Sequence, residues 1–445
     1  MADKGNRKLR NQGQRIKIPV FYRLLLLSIF LLVLAVAMVG FPELWPIQNN
    51  KVWPHQPGKK DSATIPLVRL GIENLAGNLE LFKGKKVGLI TNATGVDSQL
   101  RRAVDLLKEK VNLVVLLAPE HGLRGNVVAG AVVPYETDVK TGLPIFSLHG
   151  NVRKPTAAML KDIDILAFDI QDIGARSYTY IYTMAYAMQS AKENGKVFVV
   201  FDRPNPIGGD KVEGGLLKIA YSSFIGLYPI PVRHGLTVGE LARLFNTEFG
   251  IGAQLVVIPM VGWKRNMQQE DTGLSWVMTS PNIPTPDSAR VYPGTGLFGG
   301  SNVSEGIGTT RPFELVGAPW LDGQKLAEQM NSKKLSGVYF RAVHFTPQWG
   351  KYQGRTCNGI QIHVTERDRF EPVRTGLHLL EVIRRTGGSS FKWNEPKGND
   401  RWMIDLYAGG PELREGKINL LELLSRWAVE AEEFRRRSIK YQLYQ

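Results

Sequence analysis

The amino-acid sequence predicts an α/β protein. A parallel sheet covered on both faces by helices comes first, a smaller α+β domain follows, and one membrane-spanning helix precedes both. Three observations predict this. From residue 67 to residue 260, apolar runs of strand length alternate with helix-patterned segments. Those runs are apolar throughout rather than at every second position, the pattern of strands buried on both faces. After Pro319 the alternation gives way to strands and helices in mixed order.

The leader comes first. Residues 1–23 carry Lys4, Arg7, Lys8, Arg10, Arg15, Lys17 and Arg23 against the single acid Asp3. "LLLLSIFLLVLAVAMVGF", Leu24 to Phe41, has no charge and is just long enough to cross a bilayer, which takes roughly 20 apolar residues. The basic flank stays cytoplasmic, so the chain after Trp45 lies outside. Ala35–Ala37 resembles a signal-peptidase site, and cleavage there would release the protein. The apolar run continues past that site, so we read residues 24–41 as an uncleaved signal-anchor. Residues 42–66, rich in Pro and polar side chains, read as a linker.

The first domain is expected over residues 67–314. Strands are predicted at 85–92, 112–119, 143–150, 163–174, 196–206 and 253–260, with helices at 97–110, 177–194 and 236–250. Thr237 and Glu240 form a capping-box pattern at the start of the last of these helices. Residues 262–314 are rich in Gly, Pro, Ser, Thr and Asn, yet aromatic and apolar residues run through them. We read them as a long, ordered, functional loop. In the second domain, 315–445, helices are expected at 322–331, 373–387 and 419–437 and strands at 338–347 and 359–366.

Composition narrows the chemistry. The formal net charge of +15 favours an anionic partner, and no nucleic-acid module is present, so the charge points to an anionic envelope surface. Cys357 is the one cysteine, so an internal disulfide and a Cys-type zinc site are excluded. There is no Walker A, HExxH or G-x-S-x-G pattern. A literal G-x-G-x-x-G at Gly294, Gly296 and Gly299 lacks the strand before and helix after that give the motif meaning.

Ligands of an open parallel sheet bind beyond the carboxyl ends of its strands. The predicted strand exits carry Asn92; Glu120 and His121; His149; Asp169, Gln171 and Asp172; and Asp202, Arg203 and Asn205. These groups would converge on one rim. His121, His149, His234, Asp169 and Asp172 are suitable metal ligands but are scattered without a recognisable spacing, so no metal and no cofactor is expected. Carboxylates beside amides and cations suit a glycosidase, which needs a carboxylic acid and usually a second carboxylate. Glu120, behind the apolar run "LVVLLAP", suits the acid; alternatively it pairs with Arg124 and only fixes its loop. A non-catalytic wall-binding protein and a metal-dependent envelope hydrolase stay open as rival readings.

The stretches "GKKVGLITNATGVD", "APEHGLRG", "TGLPIFSLHG", "DIDILAFDIQDIGARSYTYIYTM", "DRPNPIGG", "YPIPVRHGLTVGEL", "SPNIPTPDSARVYPG", "SNVSEGIGTTRPFE", "GAPW" and "HVTERDRF" follow one another in that order. On them the chain resembles the bacterial exo-β-N-acetylmuramidase family, over residues 68–370. The resemblance implies a Rossmann-like catalytic domain and an auxiliary domain with the site in a cleft between them. It also implies an exo-acting hydrolase that removes terminal N-acetylmuramic acid from the non-reducing ends of peptidoglycan fragments. The family's central acid maps onto Glu120. Glu305, Asp169 and His121 join it as catalytic candidates. Asn92, Gln171, Asp172, Tyr178, Arg203, Asn205 and His234 are candidates for sugar contacts. Arg176, Arg233 and Arg311 are candidates for the lactyl carboxylate, which suits an arginine fork.

Overall fold

The computed structural model describes residues 67–445 apart from 128–129, 132–134, 397 and 399; the expected leader, membrane helix and linker fall outside the described residues. Seven strands form the main sheet: β1 Lys86–Thr91, β2 Asn112–Ala118, β3 Glu136–Thr137, β4 Pro144–Ser147, β5 Ile165–Asp169, β6 Val197–Phe201 and β7 Gln254–Ile258. Their order is β3-β4-β2-β1-β5-β6-β7, and all run parallel except the short edge strand β3. Counted over the six parallel strands, this is the 3-2-1-4-5-6 order of the Rossmann fold, with its topological switch beside β1.

Side-chain alternation divides the core. In β5, Leu166 and Phe168 face one apolar cluster, which α2 (Tyr180–Glu193) and α3 (Val238–Glu248) cover. Ile165 and Ala167 face the other cluster, which α1 (Ala103–Lys110) covers. Every residue of β5 is buried, as a strand covered on both faces requires. α3 starts at the expected capping box: Glu240 N donates to Thr237 Oγ1 at 3.2 Å and Thr237 N donates to Glu240 Oε2 at 3.1 Å.

The second sheet is antiparallel, in the order β8 (Leu315–Ala318), β10 (Cys357–Val364), β9 (Val338–Phe345). It packs with α4 (Pro286–Thr295), α5 (Gly323–Ser332), α6 (Pro372–Gly387), α7 (Met403–Ala408) and α8 (Leu420–Ser438). One apolar cluster runs unbroken from Phe168 of the first sheet to Ile360 of the second.

One element departs from the sequence reading. The stretch 262–314, expected as a loop, contains α4. Thr285 caps it by accepting from Ser288 N, and Pro286 occupies its first turn, where its missing N–H costs nothing. The Gly-rich composition has a packing cause. A Cβ on Gly294 would lie 2.0 Å from the Pro372 carbonyl oxygen, and one on Gly376 would lie 2.4 Å from that of Gly294. Gly294, the first glycine of the G-x-G-x-x-G match, thus lets α4 and α6 touch backbone to backbone, far from any strand-to-helix turn.

Residues 443–444 return to the first sheet. Tyr444 Oη donates to Asp202 Oδ2 at 2.6 Å, and Leu443 N donates to Glu240 Oε1 at 2.9 Å. Asp202 also accepts from Thr237 Oγ1 at 2.8 Å and Gly239 N at 2.7 Å. Burial pushes its carboxyl up to about 7, against the pull of Tyr444 and Gly239. An acid raised on folding gives stability that is full below its unfolded value, near 4, and is lost as pH rises through 7. Thermal unfolding at pH 5 and pH 8 should therefore show a fall that Asp202→Asn reduces.

Candidate active site

β2 ends at Ala118, and the chain then turns through Pro119-Glu120-His121-Gly122. His121 holds a left-handed backbone, φ 71°, uncommon for a residue with a Cβ. Its own bonds secure it: Nδ1–H donates to Val127 O at 2.7 Å, and Val127 N donates back to His121 O at 3.2 Å. This fixes the tautomer and leaves Nε2 as the acceptor. The turn carries Glu120 into a cavity of about 180 Å³ at the carboxyl edge of the sheet.

Glu120 accepts from Thr179 Oγ1 at 2.8 Å and Gly130 N at 3.1 Å. It does not pair with Arg124, which binds Glu136 at 2.5 Å instead. The Arg124 pairing expected under the alternative reading of Glu120 is therefore not formed. Glu305 enters the same cavity from the segment after α4 and accepts from Lys351 Nζ at 2.7 Å. One carboxyl group therefore holds neutral donors and the other an ammonium.

Aromatic rings form the wall. Tyr178 packs edge-on to Tyr180 at 5.1 Å and to Tyr292 at 5.9 Å, and Tyr292 packs edge-on to Phe313 at 4.7 Å. The Tyr178 hydroxyl donates to Thr279 Oγ1 and that of Tyr180 to Thr279 O. Burial pushes the Tyr292 hydroxyl up to about 12, and Glu120 and Glu305 push the same way. Burial also raises Tyr407 of α7, with Tyr292, Glu305 and Glu120 adding to it. Both carboxyl groups therefore act on the same two rings. Asn282, nine-tenths buried on the lining, has an Oδ1 without a partner among the described residues.

Of the residues singled out from sequence, Glu120, His121, Tyr178 and Glu305 meet in this cavity. The others do not line it. Asp169, named above among the catalytic candidates, has no exposed surface and binds Arg203 through two bonds, 2.6 and 3.0 Å. Burial pushes its carboxyl up while Arg203 pulls it down. The pair joins the ends of β5 and β6 internally. Asn92 Oδ1 accepts from Thr94 N and Oγ1, a turn-fixing role. Gln171 donates to the Asp172 and Pro204 carbonyls. Asn205 donates to Leu236 O. His234 is fully buried; its Nδ1 accepts from Leu236 N, so Nε2–H points at Asp172 Oδ2, 3.2 Å away.

The arginines are corrected in the same way. Arg176 is buried and donates to the Gly215, Ile230 and Tyr407 carbonyls, and burial lowers it to about 10. Arg233 is buried against Glu213 at 2.7 Å. Arg311 is half exposed and turned to Glu314 at 3.1 Å. Cys357 lies in the second core, where burial pushes its thiol up to about 11, unsuited to a nucleophile. Sequence reading missed Thr179, Asn282, Tyr292, Lys351 and Tyr407. Each is brought in by a contact distant along the chain, and no local pattern marks it.

A Rossmann-ordered sheet with one carboxyl group at a strand exit, and a second carboxyl group and an aromatic wall facing it across one cavity, has the groups that acid–base hydrolysis requires. The chain belongs to the exo-β-N-acetylmuramidase NamZ family: the N-terminal family model matches residues 87–287 and the C-terminal model residues 290–444. It is 47% identical over 392 residues to the peptidoglycan β-N-acetylmuramidase NamZ of Bacillus subtilis (strain 168), covering 87% of this chain and 94% of that protein. Two crystal structures of DUF1343 family proteins from Bacteroides fragilis NCTC 9343 share the fold. One has TM-score 0.79 at 41% identity, covering 86% of this chain and all of that one. The other has TM-score 0.67 at 29% identity, covering 85% and 99%.

Arg203→Ala strands the buried Asp169 carboxylate and should cost about 3–5 kcal/mol in urea unfolding. A loss within experimental error would mean the ion pair does not hold the strand exits together.

Proposed function

We infer that the chain is an exo-acting glycoside hydrolase that removes terminal non-reducing N-acetylmuramic acid from peptidoglycan fragments such as MurNAc–GlcNAc and muropeptides. The observation that carries this is the shared cavity of Glu120 and Glu305, in a chain close to the Bacillus enzyme along nearly its whole length. Hydrolysis of a glycosidic bond needs a proton for the leaving oxygen and a negative charge for the oxocarbenium-like transition state. Glu120, held by neutral donors from Thr179 and Gly130, is the proton donor. Glu305, held by Lys351, is the carboxylate that stabilises the developing charge or activates water. The unpartnered Asn282 amide suits the acetamido group of the sugar, and the tyrosine wall suits the sugar face. His121 presents Nε2 beside Glu120 and orients what binds there.

Glu120→Gln keeps the shape and removes the proton. Release of chromophore from a β-N-acetylmuramide should fall roughly 100- to 10,000-fold in kcat with little change in KM. Turnover at the wild-type rate would sink the assignment of Glu120.

We also propose that residues 24–41 anchor the enzyme in the cytoplasmic membrane with the catalytic part outside. The basic leader and the uncharged run after it support this. Among the described residues no helix is long and apolar enough to cross a membrane. Deleting residues 1–41 should move the enzyme from the membrane pellet to the soluble fraction; persistence in the pellet would oppose the anchor.

A further inference from the structure

N-acetylmuramic acid differs from N-acetylglucosamine by a lactyl ether, which carries a carboxylate. A site that prefers the former needs an available cation near the sugar. The cations around the cavity are mostly committed. Lys351 Nζ donates to Phe298 O, Val303 O and Glu305, using all three of its protons. Arg176, Arg233, Arg311 and Arg124 are held as described, and Lys154 binds Glu193 at 2.6 Å.

Arg153 is different. It is exposed, and its guanidinium lies over the Phe224 ring, 4.5 Å from the centroid. It makes no ion pair among the described residues. Phe224 precedes Ile225, which lines the cavity. Phe224 also stacks on Tyr186, with ring centroids 6.2 Å apart, and neighbours His149 at 6.5 Å. His149 Nε2 lies 3.9 Å from Glu120 Oε1, and its Nδ1 is buried without a partner among the described residues. Burial pushes the His149 imidazole below its ordinary value; Glu120 pulls it up, while Arg153 and His121 push it down. The four groups therefore face one another at one side of the cavity.

We propose that Arg153, laid over Phe224 beside the Glu120 cavity and backed by His149, takes the lactyl carboxylate and selects muramic acid over glucosamine. The proposal rests on the exo-muramidase reading above. Stacking on Phe224 holds the guanidinium plane in place while leaving its N–H fork free for bidentate contact with a carboxylate. The same charge offsets the repulsion between that carboxylate and Glu120.

The test compares the full chain with Arg153→Ala, Arg153→Lys and Arg401→Ala. Arg401 is the rival cation: it lies over Tyr221 and lines an adjoining groove that meets the cavity at Gly299. Initial rates are read on chromogenic β-N-acetylmuramide, and free N-acetylmuramic acid and N-acetylglucosamine are compared as competitive inhibitors. Arg153→Ala should lower kcat/KM for the muramide roughly 10- to 100-fold, mainly through KM. It should weaken muramic acid inhibition equally and leave glucosamine inhibition unchanged. Arg153→Lys should restore part of the loss, since it keeps the charge and loses the fork. A muramide kcat/KM within twofold of wild type overturns the proposal. So does equal weakening toward both sugars, or a selective loss in Arg401→Ala alone. Wild-type enzyme inert on the muramide would instead overturn the functional reading itself.

Discussion

A parallel strand covered on both faces can place a polar side chain freely only beyond its last residue. β1, β2, β5 and β6 are buried along nearly their whole length, and the ladder Thr91 opposite Asp169 brings their exits level. Chemistry is thereby confined to one edge of the sheet. The second sheet and its helices supply the opposing wall, Tyr292, Glu305, Phe313 and Tyr407, from the other half of the chain. Neither half lines the cavity without the other.

That edge divides by function. Around β5 and β6 the polar groups close on one another: Asp169 on Arg203, Asp172 on His234, Asn205 on Leu236. Each such bond satisfies a group that would be costly to bury alone. Around β2 and the start of α2 the polar groups stay directed into space, with Glu120 held only by a hydroxyl and one backbone N–H. The closed side gives rigidity, and the open side can then meet a substrate without rearranging. Arg176 links the two, since its bond to the Tyr407 carbonyl fixes the end of the helix whose ring lines the cavity.

Much of this was legible in the sequence. The strand order of events along the chain, the capping box at Thr237 and the exit position of Glu120 rest on local signals: apolar runs, periodicity and side-chain type. The illegible part was partnership. Asp169 and Glu120 look alike in sequence, each a carboxylate at the end of an apolar run. One meets Arg203, 34 positions away, and the other meets Thr179, 59 positions away. Nothing local separates an exit residue that faces a cavity from one that faces the next exit. α4 was hidden for another reason. Its Gly294 answers to the touching backbone of α6, a tertiary demand that overrides helix propensity.

Tyr444 completes the hydrogen bonding of a strand exit laid down some 240 residues earlier. The two segments are thus fastened without a covalent tie. Loss of the Tyr444 hydroxyl would leave the buried Asp202 carboxyl one donor short while touching no residue of the cavity. The hold on the sheet edge and the chemistry along it can therefore be lost separately.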